Sequence, residues 1–319
     1  MNYRKALSSM LETIGNTPMV KLSRLTRELD GEIFAKIEYY NPGFSKKDRI
    51  GLQIIEDAEK QGKLKKGQPV VELTSGNTGT GLAIACAIKG YPFIAVMSKG
   101  NSIERARMMK ALGARVVLVD QAENSIPGHV TGEDLALVEK ETQRLVKELN
   151  AFRADQFNNP SNVYAHEYYT GEEIWEQSEG KVDVFVDFVG TAGSFVGCAR
   201  ALKKHNPNIR CYLAEPKNAA YLSGHDVSNP HHKIQGGGYC MDLPLLDKSL
   251  VEDYVLISDE EAIQTARRLA REEAIFGGYS SGANVAAALK LLREKEQGKN
   301  IAVLINDSGL KYMSTDLFE

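Results

Sequence analysis

The sequence predicts an open α/β protein whose mostly parallel sheets are covered on both faces by helices. Short apolar runs rich in β-branched residues alternate with helical patterns along nearly the whole chain. The runs are continuous instead of alternating with polar residues, as expected of strands buried on both faces. At 319 residues the chain exceeds the usual size of one compact domain. Two domains are therefore expected, each with its own twisted sheet.

Taken in order, the first predicted strand covers residues 32–37. The second, 69–74, runs into the hydroxyl-rich turn Thr74-Ser75-Gly76-Asn77-Thr78, and a helix is predicted over 78–88. A strand at 93–97, a helix at 103–111 and a strand at 115–119 follow. Residues 123–133 hold Pro127, Gly128 and Gly132 and read as a loop. Helices at 134–149 and 167–177 precede a strand at 182–189. That strand opens through Gly190-Thr191-Ala192-Gly193-Ser194 into a helix at 194–204. The strand at 210–214 is stopped by Pro216, and helices at 259–273 and 281–294 precede a last strand at 301–305.

The net charge of −3 gives no sign of the concentrated basic charge of a nucleic-acid binder. No run approaches the roughly 20 apolar residues that a membrane helix needs. The polar start of the chain does not resemble a signal peptide. Cys86, Cys198, Cys211 and Cys240 are scattered without a C-x-x-C pair, and the histidines show no metal spacing. The expectation is a reduced, cytoplasmic compartment and no metal site.

Sheets of this kind bind ligands beyond the carboxyl ends of their strands, and two of the turns sit there. Gly190-Thr191-Ala192-Gly193-Ser194 opens a helix, so backbone N–H groups and the positive dipole end suit a phosphate. The same residues also suit a tight turn with a Ser N-cap. A dinucleotide fingerprint with Glu215 as its later acid is a third reading, weakened because Ala192 stands where the second glycine is wanted. The turn at Thr74–Thr78 could bind a carboxylate or simply cap a helix.

A lysine pair lies in Asn41-Pro42-Gly43-Phe44-Ser45-Lys46-Lys47-Asp48-Arg49, between a turn and a helix start. Lysine does its distinctive chemistry as a Schiff base with a carbonyl partner such as pyridoxal phosphate. Lys47 is the candidate, and Lys46 reads as the solvated neighbour. Asp48 and Arg49 could form surface ion pairs. Ser280, in Gly277-Gly278-Tyr279-Ser280-Ser281-Gly282, suits either an N-cap or a neutral partner for a cofactor ring nitrogen. The stretch Lys233-Ile234-Gln235-Gly236-Gly237-Gly238-Tyr239-Cys240-Met241-Asp242 reads as a mobile loop able to close over a substrate, or as a plain surface loop.

Together these segments resemble the cysteine synthase family of fold-type II (tryptophan synthase β-like) pyridoxal-phosphate enzymes, which includes cystathionine β-synthase. The resemblance begins at Ile14-Gly15-Asn16-Thr17-Pro18 and takes in Gln156-Phe157-Asn158-Asn159-Pro160. It closes at Asp307-Ser308-Gly309-Leu310-Lys311-Tyr312. It implies that Lys47 carries pyridoxal 5'-phosphate and moves the α-proton, and that Asn77 bonds the cofactor's phenolic oxygen. Gly190, Thr191, Ala192, Gly193 and Ser194 would hold the phosphate, with Ser280 facing the pyridine nitrogen. Thr74, Ser75, Gly76, Thr78 and Gln156 would take the substrate carboxylate, and Gly236, Tyr239 and Asp242 would complete the substrate site.

The implied activity is β-replacement on a small amino acid (O-acetylserine, serine or cysteine) by sulfide, a thiol or water through an aminoacrylate. A sulfide-releasing β-elimination lyase and a cystathionine β-synthase-like enzyme are the alternatives. A dehydratase or racemase fits less well, since no run of consecutive glycines forms the phosphate loop. A catalytically silent or nucleotide-binding protein is argued against by intact Lys47 and Asn77. A homodimer is also implied, with residues 42–155 as a smaller mobile domain and residues 1–41 and 156–319 as the larger, cofactor-binding one. The end at Glu319 leaves no room for a C-terminal regulatory domain. Three departures from the family pattern stand out. Lys46 replaces a usual apolar residue, Ala192 and Ser194 replace glycine and threonine, and the loop from Gly236 to Asp242 differs throughout.

Overall fold

In the computed structural model, which describes residues 5–126, 128 and 130–319, the chain forms two sheets flanked by helices. In order the elements are β1 (Met19–Lys21), β2 (Gly31–Ile37), α1 (Lys47–Lys60), β3 (Val70–Leu73) and α2 (Asn77–Lys89). There follow β4 (Phe93–Ser98), α3 (Ile103–Ala111), β5 (Arg115–Val119), α4 (Gly132–Leu149) and β6 (Phe152–Arg153). Next come α5 (Ser161–Ala165), α6 (Gly171–Gln177), β7 (Val184–Phe188), α7 (Gly193–His205) and β8 (Arg210–Pro216). The chain continues through β9 (Asp253–Ile257), α8 (Asp259–Glu273), α9 (Tyr279–Arg293) and β10 (Lys299–Ile305).

One sheet has the order β1-β2-β10-β7-β8-β9 and the other β5-β4-β3-β6; every pairing is parallel except β1 with β2. The central strands β3, β4 and β7 are buried at every position, which is why they read as unbroken apolar runs. α8 and α9 cover one face of the larger sheet and α7 the other. α1, α2 and α3 cover one face of the smaller sheet and α4 the other.

The departures from the predicted elements have local causes. β1, β6 and β9 give no strong signal because the first two are very short and β9 is a half-buried edge. β8 runs through Pro216 instead of stopping before it, with Pro216 in register with Ile257 of an edge strand. The helix predicted at 167–177 is a π-helical turn at His166–Thr170 followed by α6, and α5 runs directly into that turn. Gly197 of α7 lies so close to Val163 and His166 that a Cβ there would clash with both. The widened turn follows where the two backbones touch.

The helix that begins at Lys47 is fixed by two features. Gly51 of α1 and Gly81 of α2 bring the two backbones together, and a Cβ on Gly81 would stand 2.6 Å from the Lys47 carbonyl oxygen. Beside it, the Arg49 guanidinium is buried between two carboxylates. It donates to Glu38 at 2.7 and 2.8 Å and to Glu173 at 2.6 and 2.8 Å, while Lys36 pairs with Glu173 at 2.6 Å. Arg49 is therefore not on the surface. The Glu38 carboxylate also accepts from Thr17 and Asn41, tying the segment before α1 to the larger sheet.

Replacing Gly81 by alanine should separate α1 from α2 and cost about 1–3 kcal/mol. A fall in the urea midpoint with an unchanged slope is the expected reading; an unshifted midpoint would show that the helices do not depend on this contact.

Candidate active site

Lys47 opens α1 at the junction of the two sheets, where it lines a narrow cleft with Lys46, Asn77, Gly190, Ser194 and Ser280. Among the described residues no hydrogen bond or ion pair engages its ammonium. Burial and then the neighbouring Lys46 ammonium push it down to about 7, against the opposing pull of Asp187. A side-chain amine with that value is substantially neutral at physiological pH, the state a nucleophile or proton acceptor needs.

Two helix N-termini face the same junction. At the end of β3 the Thr74 hydroxyl oxygen accepts the N–H groups of Gly76 and Gly79, both at 2.9 Å, and so closes the turn. Asn77 and Thr78 are the first two residues of α2, whose N–H groups have no acceptor within the helix. The Thr78 hydroxyl donates to Gln156 Oε1 at 2.6 Å, and Gln156 Nε2 donates to the Leu73 carbonyl at 2.8 Å. Glu72 holds this corner by accepting the N–H groups of Asp155 and Gln156.

On the opposite side, β7 ends at Phe188 and the turn to Ser194 opens α7. The N-cap of α7 is Ala192, so Ser194 is not the cap and its hydroxyl is available for other bonds. Ala192 has φ +66°, the left-handed region where a side chain is strained. Gly193 admits the Asn162 amide against its backbone, where a Cβ could not fit. Asn162 Nδ2 donates both to the Gln156 carbonyl at 2.7 Å and to Thr191 Oγ1 at 2.8 Å. One amide thus links the two turns.

The residues suit a phosphorylated pyridine aldehyde. Ser280 lies within the first turn of α9, whose N-cap is Gly278, and its hydroxyl bonds no other side chain or backbone group among the described residues. Asn306 Oδ1, Asp307 Oδ1 and Gln235 Oε1, near the cleft, are buried without partners among the described residues. Asn77 is held from both sides, donating to Asp307 at 2.7 Å and accepting from Lys311 at 2.6 Å. Lys311 also donates to the Gly43 carbonyl, and burial pushes its ammonium down. Burial pushes the Asp48 carboxyl up, and its oxygen accepts the Gly43 N–H; neither Asp48 nor Lys311 is a surface group.

The glycine loop contributes unevenly. Gly236 and Gln235 line the cleft, and Tyr239 packs its ring 6.3 Å from that of Phe157. Burial pushes the Tyr239 hydroxyl up, against a hydrogen bond with Ser75. Asp242 is exposed and does not line the cleft. Lys46, expected in solvent, is only 6% exposed and pairs with Asp187. The Glu215 carboxylate accepts the N–H groups of Leu222 and Ser223 and so organises a loop. Asn162, Asp187 and Glu72 escaped the sequence reading, because no glycine or hydroxyl cluster marks them, and Lys311 reads only as part of a motif.

The family model described as "Pyridoxal-phosphate dependent enzyme" matches residues 10–307. Cysteine synthase A of Escherichia coli strain K12 is 44% identical over 313 residues, covering 96% of this chain and 94% of the relative. The crystal structure of cysteine synthase from Entamoeba histolytica superposes with a TM-score of 0.91 at 36% identity, over 100% of this chain and 92% of that one. A hydrogen sulfide-producing enzyme from Fusobacterium nucleatum superposes with a TM-score of 0.89 at 39% identity, over 97% and 100% of the two chains. Among the described residues no group is placed to hold a metal ion and no helix is long and apolar enough to cross a membrane.

Two measurements test this geometry. Competitive acetylation of the cofactor-free protein, read by mass spectrometry, should show Lys47 reactivity rising through pH about 7, because the amine reacts only when neutral. A midpoint at the ordinary lysine value near 10.4 would remove the claim that the cleft desolvates it. Replacing Ala192 by glycine should relieve the left-handed strain and raise stability by roughly 0.5–1 kcal/mol, and a lowered thermal midpoint would contradict this.

Proposed function

Because the chain belongs to the pyridoxal-phosphate dependent enzymes, and among them to the cysteine synthase family, we propose that it makes cysteine from O-acetylserine and sulfide. Its cofactor is pyridoxal phosphate, and its reaction class is β-replacement on a small amino acid. The observation that carries the proposal is the unpartnered, desolvated amine of Lys47 in a cleft faced by two helix N-termini.

When bound, the cofactor supplies an imine carbon for Lys47 and an electron-withdrawing ring that makes the substrate α-proton acidic. The protein's residues do the rest. The turn Gly190-Thr191-Ala192-Gly193-Ser194 holds the phosphate on the N-terminus of α7. Thr74, Ser75, Gly76 and Thr78, with Gln156, take the substrate carboxylate on the N-terminus of α2 and so align the Cα–H bond with Lys47 Nζ. Lys47 accepts the α-proton and returns it after the nucleophile has added. Asn77, already oriented by Asp307 and Lys311, presents its amide to the phenolic oxygen. Ser280 offers the ring nitrogen a neutral hydroxyl, which leaves the ring a weaker electron sink and favours departure of a β-substituent over transamination.

Gly236 and Tyr239 border the substrate, with the Tyr239 ring excluding water beside Phe157. Residues 42–155 act as the smaller, mobile domain; the derivation of all four strands of the smaller sheet from residues between 70 and 153 supports this division. The protein works in the cytoplasm as a homodimer, a reading supported by exposed Tyr168 and Tyr169 beside a recess that also holds Ile14 and Leu52.

Purified protein should form cysteine from O-acetylserine and sulfide. Lys47→Ala should retain its fold by circular dichroism while turnover falls about a hundred- to ten-thousand-fold. Full activity in the folded variant would overturn the assignment of Lys47. Sulfide release from cysteine by the parent protein, without any reaction of O-acetylserine, would replace the synthase by a lyase.

A further inference from the structure

We propose that Lys46 belongs to the phosphate-binding machinery: it neutralises the Asp187 carboxylate beneath the Gly190-Thr191-Ala192-Gly193-Ser194 turn, so that the turn can accept a dianion. This rests on the placement of the cofactor phosphate in that turn.

Lys46 precedes Lys47 and lines the same cleft, yet its ammonium is directed away from Lys47's role. Its Nζ donates to the two Asp187 oxygens at 3.0 and 2.9 Å and to Ser194 Oγ at 2.8 Å. Asp187 is fully buried near the end of β7, where it also accepts Asn284 Nδ2 at 3.1 Å. The Ser194 hydroxyl donates its single proton to Asp187 Oδ2 at 2.5 Å. A carboxylate therefore lies one hydroxyl away from the N-terminus of α7.

The partial positive charge of a helix N-terminus is about half an elementary charge. A full negative charge at this distance would more than cancel it and repel a phosphate. The Lys46 ammonium removes that repulsion. It also keeps Asp187 satisfied when the Ser194 hydroxyl turns its proton toward a phosphate oxygen, because Asn284 and two Lys46 N–H groups remain on the carboxylate.

Burying an ion pair stabilises a fold little compared with apolar residues of similar volume. In this chain the basic residue has an acid partner, and both lie against the phosphate turn. That arrangement points to ligand charge as the property the pair serves.

The test compares the binding of pyridoxal phosphate and of pyridoxal, which lacks the phosphate, by the cofactor-stripped full chain. Lys46→Met should weaken pyridoxal phosphate binding about tenfold or more while leaving pyridoxal within about twofold. Adding Asp187→Asn to that variant should restore most of the loss. Equal weakening of both ligands, unchanged pyridoxal phosphate binding, or absence of rescue would overturn the proposal. If Lys46→Met does not fold, Asp187→Asn alone decides. It should bind pyridoxal phosphate severalfold tighter and with a steeper salt dependence, and weaker or unchanged binding would refute the role. A parent protein that binds pyridoxal as tightly as pyridoxal phosphate would instead refute the phosphate placement.

Discussion

The buried guanidinium of Arg49 is the group on which the position of Lys47 depends. It spans Glu38, at the end of the first long strand of the larger sheet, and Glu173, on a helix that packs against the opposite face. All five of its N–H donors have a fixed fork geometry, so two carboxylates on two elements set the direction of α1. Lys47 is two residues earlier on the same helix. Any rotation of Arg49 would move the amine, and the burial of all three charged groups makes such rotation costly. The contact between Gly51 and Gly81 then fixes α1 against α2, so Lys47 and the Thr74–Thr78 turn form one unit.

The second constraint is that the two sheets present their carboxyl ends to one cleft. Each strand end opens into a helix, and each helix begins with unpaired N–H groups. The α2 terminus suits a carboxylate and the α7 terminus a phosphate, while Lys47 lies between them. Asn162 bridges Gln156, which holds Thr78, to Thr191 through one side-chain amide. Across the cleft, Asp307 and Lys311 hold Asn77, and the Arg105 guanidinium sits 5.0 Å from the Tyr312 ring centroid while donating to the Ser75 carbonyl. These contacts join the strand end after β10 to the smaller sheet.

Strain and buried charge concentrate at the same place. Ala192 takes a left-handed conformation in the turn that opens α7, and the Lys46–Asp187 pair bonds Ser194 of the same turn. Ion pairs on the outer faces of helices, as between Arg144 and Glu141 or Glu148, are by contrast exposed.

The sequence by itself determined the α/β class, the parallel sheets and the turns that face the ligand. Burial on both faces imposes continuous apolar runs, and glycine and hydroxyl residues mark places where a backbone must approach an anion. Both signals are local, so they can be read along the chain. The short or edge strands β1, β6 and β9 lack them. Tertiary structure alone decided which charges are buried. Lys46 and Lys47 are adjacent and alike in sequence, yet one pairs with Asp187, 141 residues away, while the other is left unpaired and partly neutral. Likewise Arg49 became a buried clamp only because Glu173, 124 residues on, folds back against it. The charge state of an ionisable side chain depends on desolvation and on partners brought together in space, and neither is encoded in its immediate neighbours.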